Sequence, residues 1–182
     1  MPRYWFPKPY ADTVARLRVP SGFLLVAAFG WFSHPTATSL LYGIPVSVAG
    51  LWLRGWAAGH LAKNQQLATS GPYAWMRNPL YAGTLLVAAG LAIASNSWPL
   101  AALFAAVFLL VYLPVIELEE QHLRSLFPAY QDYADRVPLL LPKGRANYPR
   151  KPFLAALYKK NQEYQALLGY LVGLAWLVWK AS

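Results

Sequence analysis

The sequence predicts an all-α, polytopic integral membrane protein with about five transmembrane helices. Three observations predict it. The 182 residues are 57% hydrophobic and only 13% charged, with a mean hydropathy of +0.31, whereas about 25% charged residues is usual for a soluble domain. Five apolar segments stand out, at 19–33, 40–59, 79–94, 98–116 and 166–179. The basic residues alternate with these segments instead of forming one patch, which argues against a nucleic-acid binder despite a net charge of +9.

The second and fourth segments approach the ~20 residues that a membrane helix needs. The other three have 14 to 16 residues, roughly 21–24 Å of helix, and need flanking residues, thinning or neighbours to cross. The fifth crosses, lies on the membrane or packs as a shorter helix. Arg3, Lys8, Arg16 and Arg18 precede the first segment, and Arg54, Lys63 and Arg77 lie in or near the link between the second and third. Eight more cations lie within 124–160, and the short loops 33–39 and 95–97 have none. By the positive-inside rule the N-terminus, the middle link and the long penultimate stretch are cytoplasmic. The two short loops make antiparallel hairpins. The first apolar segment has a long, proline-containing basic leader and no small-x-small site after it, so it reads as a retained helix. Eight Trp and twelve Tyr suit aromatic belts at two interfaces. With no Cys, disulfides, a thiol nucleophile and cysteine zinc sites are excluded. The chain reads as one domain, 1–182: a hairpin at 19–59, a core at 60–142, and a basic segment with a final helix at 143–182.

The chemistry concentrates at 71–83, Gly-Pro-Tyr-Ala-Trp-Met-Arg-Asn-Pro-Leu-Tyr-Ala-Gly. Pro79 suits the first turn of the third helix, with Asn78 as its N-cap. A helix N-terminus there presents N–H groups to an anion, and Arg77 adds a fork of donors. Gly83 permits close approach of a ligand or of another backbone. A capped helix with an interfacial arginine is the plainer reading. At the end of the fourth segment, Glu117, Glu119 and Glu120 leave the membrane together, which is costly unless they are hydrated or paired. They suit a cationic ligand or ribose hydroxyls, or else pair with Arg77 or Arg124. Leu123, Leu126 and Phe127 repeat at helical spacing, so that helix continues out of the membrane. Pro138 and Pro142 bracket the short apolar run Leu139-Leu140-Leu141, a segment folded back against the membrane whose core offers an apolar slot for a flat ring. Arg54 lies about 9 Å inside the second helix and either snorkels to the surface or orients an anionic group. His60 is a capping or interface histidine, or part of the site. His122 faces water or joins the site, and His34 has no role. No metal-ligand set, P-loop, GxGxxG or GxSxG motif is present.

In order, His60, Thr69-Ser70-Gly71-Pro72-Tyr73, Arg77-Asn78-Pro79-Leu80-Tyr81-Ala82-Gly83, Glu119-Glu120, Tyr130 with Tyr133, Arg136-Val137-Pro138 and Leu141-Pro142 resemble the isoprenylcysteine carboxyl methyltransferase family, within a wider group that includes phospholipid methyltransferases. The resemblance covers about 60–142. It implies an integral membrane methyltransferase that uses S-adenosylmethionine and acts on a lipid-like acceptor. It implies cofactor contacts from His60, Tyr73, Arg77, Asn78, Pro79, Tyr81, Gly83, Glu119 and Glu120, and from Val137, Pro138, Leu139, Leu140 and Leu141. The predicted catalytic set is Arg77 holding the cofactor carboxylate, Glu120 (or Glu119) holding its ribose or amino group, and Arg54 orienting the acceptor. The family's usual His after the Arg is Asn78 here, which does not titrate near neutral pH. The expected partners are a lipid-like acceptor and membrane lipids, with no nucleic acid. The expected location is the membrane, with the cofactor site on the cytoplasmic side. The rival readings are an NADPH-dependent membrane reductase of the sterol reductase type and a non-catalytic lipid-binding scaffold that uses the basic stretch 143–160.

Overall fold

The structure, a computed structural model, describes residues 5–182, without the side chains of Arg18 and Val19. Of the amino-terminal cations, Arg3 and the Arg18 side chain therefore lie outside the described residues. All regular elements among the described residues are helical, as the composition predicts. They are α1 (Lys8–Phe32), α2 (Ala37–Ala58), α3 (Pro79–Ala94), α4 (Trp98–Val107), α5 (Leu113–Leu126), α6 (Tyr130–Arg136), α7 (Ala155–Lys160) and α8 (Tyr164–Ala181). A 3₁₀ turn at Gly71–Ala74 precedes α3, and a π-turn at Phe108–Tyr112 joins α4 to α5.

Each apolar segment of the sequence lies within a helix, but the ends differ. The first helix begins at Lys8 rather than 19, because Ala11 and Val14 are buried and Ala15 packs on the Tyr81, Val115 and Ile116 cluster. Pro20 lacks the N–H for the ladder and its ring crowds the preceding turn. The two halves of α1 there are bent by 55°. The fourth helix runs on past the apolar segment, so that Trp98–Leu126 is one rod of 29 residues. Pro114 cannot donate to the Leu110 carbonyl, the helix widens into the π-turn before it, and the Tyr10 hydroxyl donates to that carbonyl at 2.6 Å.

Trp98–Leu126 is the one described helix long and apolar enough by itself to cross a membrane, judged by length and composition. The bent α1 counts as a second if its halves form one span, and α3 is a shorter apolar helix. By length and composition the described helices therefore account for one crossing, or two, of the five expected.

The tightest pairing is between α2 and α3. Four glycines face one another, and a Cβ on any of them would meet backbone. At Gly50 it would lie 2.6 Å from the Val87 nitrogen and 2.7 Å from the Gly83 oxygen. At Gly83 it would lie 2.8 Å from the Gly50 oxygen, and at Gly90 2.6 Å from the Gly43 oxygen. Small residues let helices in an apolar medium approach closely enough to gain dispersion energy along their length. The far end of this hairpin is held by Ser39 Oγ, which donates to the Ala94 carbonyl at 2.9 Å, and by the Thr36–Ser39 capping box. Its near end is held by Asn161, whose Nδ2 donates to the carbonyls of Ala58 and Leu61 at 2.9 Å each. α8 is tied to α2 by Ser47 Oγ and the Tyr170 hydroxyl, 2.9 Å apart, and to α1 by Lys180 Nζ on the Gly30 carbonyl at 3.2 Å.

Gly50→Leu is expected to destabilise the protein by about 1–3 kcal/mol through overpacking, read as a lower thermal midpoint in detergent micelles. Gly22→Ala, where a Cβ meets nothing within 4 Å, is expected to leave the midpoint unchanged or raise it. Equal midpoints for Gly50→Leu and wild type would refute the close-packing account.

Candidate functional site

Beneath the α2–α3 pair, the chain leaves α2 at Gly59 and returns to α3 at Pro79. The return is shaped by Gly71, whose φ of +59° is left-handed. A Cβ there would also lie 2.5 Å from the His60 ring. His60 Nδ1 pairs with Ser70 Oγ at 3.0 Å, and its ring meets Trp56 and Phe153 edge-on. His60 thus supports the turn and does not line the cavity described below. Burial lowers its pKa from the usual 6.5.

Arg77 leaves the turn and is clamped. Its Nε donates to Glu120 Oε1 at 2.7 Å and its Nη2 to Oε2 at 3.2 Å. Its Nη1 donates to the carbonyls of Ala134 and Val137 at 2.7 and 3.0 Å. Four donors of the fork are engaged with the protein itself. Both members of the pair are largely buried, with side chains 12% and 8% exposed. Glu120 also accepts from Asn78 Nδ2 at 3.2 Å. Asn78 stands at the N-cap position of α3, but its side chain makes no cap bond; the carboxylate behind it takes the amide instead. That is a correction to the expected cap. The N–H groups of Arg77 and Asn78 donate to the carbonyls of Pro138 and Leu139 at 2.8 and 3.1 Å. The run after α6 therefore folds back as expected, and does so by pairing its backbone with the start of α3.

The three carboxylates of α5 separate by face. Glu117 accepts the backbone N–H groups of Trp5 and, at 3.0 Å, Phe6. Glu120 faces Arg77. Glu119 accepts the Tyr81 hydroxyl at 2.8 Å. Within α2, Arg54 is paired rather than snorkelling free. Its Nε and Nη2 reach the two oxygens of Glu163, the latter at 3.0 Å, and its Nη1 donates to Thr84 Oγ1 and, at 3.4 Å, to the Leu80 carbonyl.

These elements enclose a cavity of about 720 Å³, within the range of small-molecule sites. Of the residues singled out in the sequence, Arg54, Tyr73, Arg77, Asn78, Pro79, Tyr81 and Glu119 line it, and His122 joins them. Glu120 lies behind Arg77 and Asn78. Gly83 packs on α2, which is the backbone approach its sequence position allowed. Val137, Pro138 and Leu139 contribute carbonyls to the clamp, Leu140 packs with Leu139 on the Tyr81 cluster, and Leu141 is exposed. The lining also includes Lys63, Thr84, Tyr112, Tyr130 and Tyr133. Thr84 and Tyr112 were not identified from the sequence. Thr84 sits one turn beyond Leu80 and Tyr81 on the same face of α3, and Tyr112 is delivered by the π-turn ahead of Pro114, so helical spacing and that proline were their only signals. Burial, and then the charges of Glu119 and Glu163, push the Tyr73 phenol far above its ordinary range. Burial first, then neighbouring charges, do the same for Tyr130 and Tyr133. These phenols are neutral walls and hydrogen-bond groups. Among the described residues no three His, Asp or Glu side chains converge as a metal site.

Removing Glu120 leaves a buried, uncompensated guanidinium, so Glu120→Ala is expected to cost about 3–5 kcal/mol, measured by thermal unfolding. Arg77→Lys is expected to destabilise as well, because an ammonium cannot make the bidentate fork. For His60 the folded pKa lies below the unfolded 6.5. Its contribution is therefore present above pH 6.5 and is lost as the pH falls from there through the folded value. His60→Gln is expected to flatten that part of the stability–pH curve; identical wild-type and variant curves would contradict it.

Compared with known sequences, residues 46–130 match the phospholipid methyltransferase family. The cobalt-zinc-cadmium resistance protein CzcN of Cupriavidus metallidurans is 37% identical over 114 residues, 62% of this chain and 52% of the relative. The nickel-cobalt-cadmium resistance protein NccN of Alcaligenes xylosoxydans is 35% identical over 114 residues, 62% of this chain and 53% of the relative. A protein-S-isoprenylcysteine O-methyltransferase of Schizosaccharomyces pombe is 28% identical over 141 residues, 74% of this chain and 59% of the relative. The matched stretch thus spans only about half the length of these relatives. No solved structure matches the chain. The matched region holds α2's carboxyl half, the Arg77 turn, α3 and the α5 carboxylates, so it is this central part of the chain that is similar to phospholipid methyltransferases and to an isoprenylcysteine O-methyltransferase.

Proposed function

We propose that the protein is a polytopic membrane methyltransferase that moves a methyl group from S-adenosylmethionine to a lipid-like acceptor at the cytoplasmic membrane face. The observation that carries this reading is the cavity of about 720 Å³ in which charged and polar side chains, among them Arg54, Lys63, Asn78 and Glu119, share the lining with several phenols and with apolar residues such as Leu80 and Val115. The membrane setting is supported by the apolar rod Trp98–Leu126 and by large apolar side chains that point outward all around the helices. Trp31, Trp98 and Trp179, 79%, 81% and 66% exposed, lie at the end where α1 and α8 finish and α4 starts, as an interfacial belt would. The cations of 124–160 belong to the other end, consistent with a cytoplasmic cavity.

The donor set fits the cofactor. Glu119 suits an ammonium or ribose hydroxyls, Lys63 suits a carboxylate, and Tyr73, Tyr81 and Tyr130 offer faces and edges to a purine. When bound, the cofactor supplies an electrophilic methyl group on a sulfonium. The chain's task is then alignment and exclusion of water. Arg77 and Glu120, locked to each other, act as positioning residues that hold Asn78 and the start of α3 in the wall. Arg54, held by Glu163 and Thr84, presents the rest of its guanidinium to the acceptor's polar head. A carboxylate acceptor needs no base, and an amine acceptor must arrive deprotonated.

Calorimetry on the purified full chain is expected to give binding of S-adenosylmethionine and S-adenosylhomocysteine. Glu119→Gln is expected to weaken both about 10–100-fold, the range for a lost hydrogen bond to a charged group. Labelled-methyl transfer into a native lipid extract is expected to fall in step. NADPH binding without S-adenosylmethionine binding would favour the reductase reading, and binding of neither would favour the scaffold.

A further inference from the structure

Between α6 and α7 the chain forms no regular element, yet it is laid along the wall of the polar cavity. The Ala146 N–H donates to the Ala74 carbonyl at 2.8 Å. The Tyr148 ring meets that of Tyr133, a lining residue, edge-on with centroids 5.8 Å apart. Lys151 Nζ donates to Oε1 of Gln66, another lining residue, at 3.2 Å. The Leu154 N–H donates to the Gly59 carbonyl at 3.0 Å, and the Phe153 ring sits so close over Gly59 that a Cβ there would lie 2.1 Å from it. The inner side of this segment is thus a strap over the link between α2 and α3.

Its outer side carries one sign of charge. No Asp or Glu occurs between Asp135 and Glu163. Lys143, Arg145, Arg150, Lys151, Lys159 and Lys160 are all exposed, and none of them is ion-paired among the described residues. Side-chain bonds engage only Arg145, on the Tyr148 carbonyl, and Lys151. Apolar side chains stand among these cations: Leu141 is 79% exposed, Phe153 48% and Leu154 49%. The helices fix their level. Leu139 and Leu140 pack on the Tyr81 cluster, so Leu141 emerges near the start of α3, and Phe153 and Leu154 emerge where α2 ends. In a bilayer such helix ends lie at the interface, where aromatic and cationic side chains gather. A segment at that depth gains twice, by sinking apolar side chains among the headgroups and by drawing anionic lipids to its cations. A nucleic acid would use the charge and leave Leu141, Phe153 and Leu154 in water.

We propose that the outer side of residues 141–160 is a docking surface for the anionic phospholipid headgroups of the cytoplasmic leaflet, and that docking there holds the inner side of the strap against the polar cavity. The charge of the leaflet then acts on the cavity wall without any lipid entering the cavity. A scaffold would use the same stretch only as a tether; the strap joins it to Tyr133 and Gln66. The dock needs the bilayer setting proposed above but not methyl transfer, and no ligand of the cavity enters its test.

The full chain is reconstituted into phosphatidylcholine vesicles with a trace of spin-labelled phosphatidylglycerol or spin-labelled phosphatidylcholine. The motionally restricted fraction of each label is read by electron paramagnetic resonance. Phosphatidylglycerol is expected to be favoured about five- to tenfold, and the preference is expected to fall toward parity in high salt. Lys143→Gln, Arg150→Gln, Lys159→Gln and Lys160→Gln together change four exposed side chains. They are expected to bring the preference below about twofold at an unchanged thermal midpoint. Lys8→Gln with Arg16→Gln removes two exposed cations of α1 and is expected to keep the wild-type preference. Hydrogen exchange at the Ala146 and Leu154 amides is expected to slow when the vesicles contain phosphatidylglycerol, in the wild type and not in the quadruple variant. Equal association of the two labels would overturn the dock, as would a loss in the α1 variant equal to that in the quadruple variant, which would mean diffuse charge. Preference without slower exchange would overturn the link to the cavity wall. A chain that fails to enter vesicles would overturn the bilayer setting and the dock with it. Strap-dependent preference in a protein that binds no S-adenosylmethionine would overturn the methyl-transfer reading and uphold the dock.

Discussion

The close approach of α2 and α3 organises the core of the protein. Gly43, Gly50, Gly83 and Gly90 bring the two backbones to a separation at which a single added Cβ would lie within about 3 Å of a main-chain atom. That distance places Arg54 over Gly83, so that its guanidinium reaches Thr84 and Leu80 on α3. It also aims the start of α3 at α5, where Asn78 meets Glu120 and Tyr81 meets Glu119. A wider helix pair would take the Arg54 guanidinium out of reach of Thr84 and of the Leu80 carbonyl. In a medium where apolar helices gain little by avoiding lipid, packing and satisfied polar groups must supply the association. This pair uses both.

The two buried ion pairs divide the labour. Arg77 with Glu120 ties α3, α5 and the segment after α6 into one wall, using four guanidinium donors and two backbone N–H groups. Arg54 with Glu163 ties α2 to the start of α8. Pairs of this kind add little net stability over apolar substitutes, yet breaking one leaves a stranded charge. They are better understood as devices that permit a single arrangement. The Tyr133 hydroxyl on the Tyr73 carbonyl, 2.8 Å, extends the same wall to α6. Between the two pairs lies the polar cavity.

How much of this was legible in the residues differs by element. The five apolar segments all lie within helices, because hydrophobic length is a local property. The helix that continues past Glu117 was legible from Leu123, Leu126 and Phe127. The 71–83 turn was legible from its prolines and glycines, and most of its chosen side chains do line one cavity. The early start of α1 at Lys8 was not, since it is stabilised by contacts with a helix 100 residues away in sequence, among them Tyr10 on Leu110. Nor was the side chain of Asn78, which satisfies a carboxylate instead of its own helix end.

The helical class, the apolar lengths, the alternation of cations and the turn that opens α3 follow from local sequence, because each depends on neighbours within a few residues. The partners were set by the packing of the helices. That packing joined Arg77 to Glu120 across 43 residues and Arg54 to Glu163 across 109. It moved His60 from the site to its support, and brought Thr84 and Tyr112 into the wall of the polar cavity. The physical reason is that an ion pair or a cavity wall depends on angles and distances between helices, and these are set by glycine contacts that carry no chemical signal of their own in the sequence.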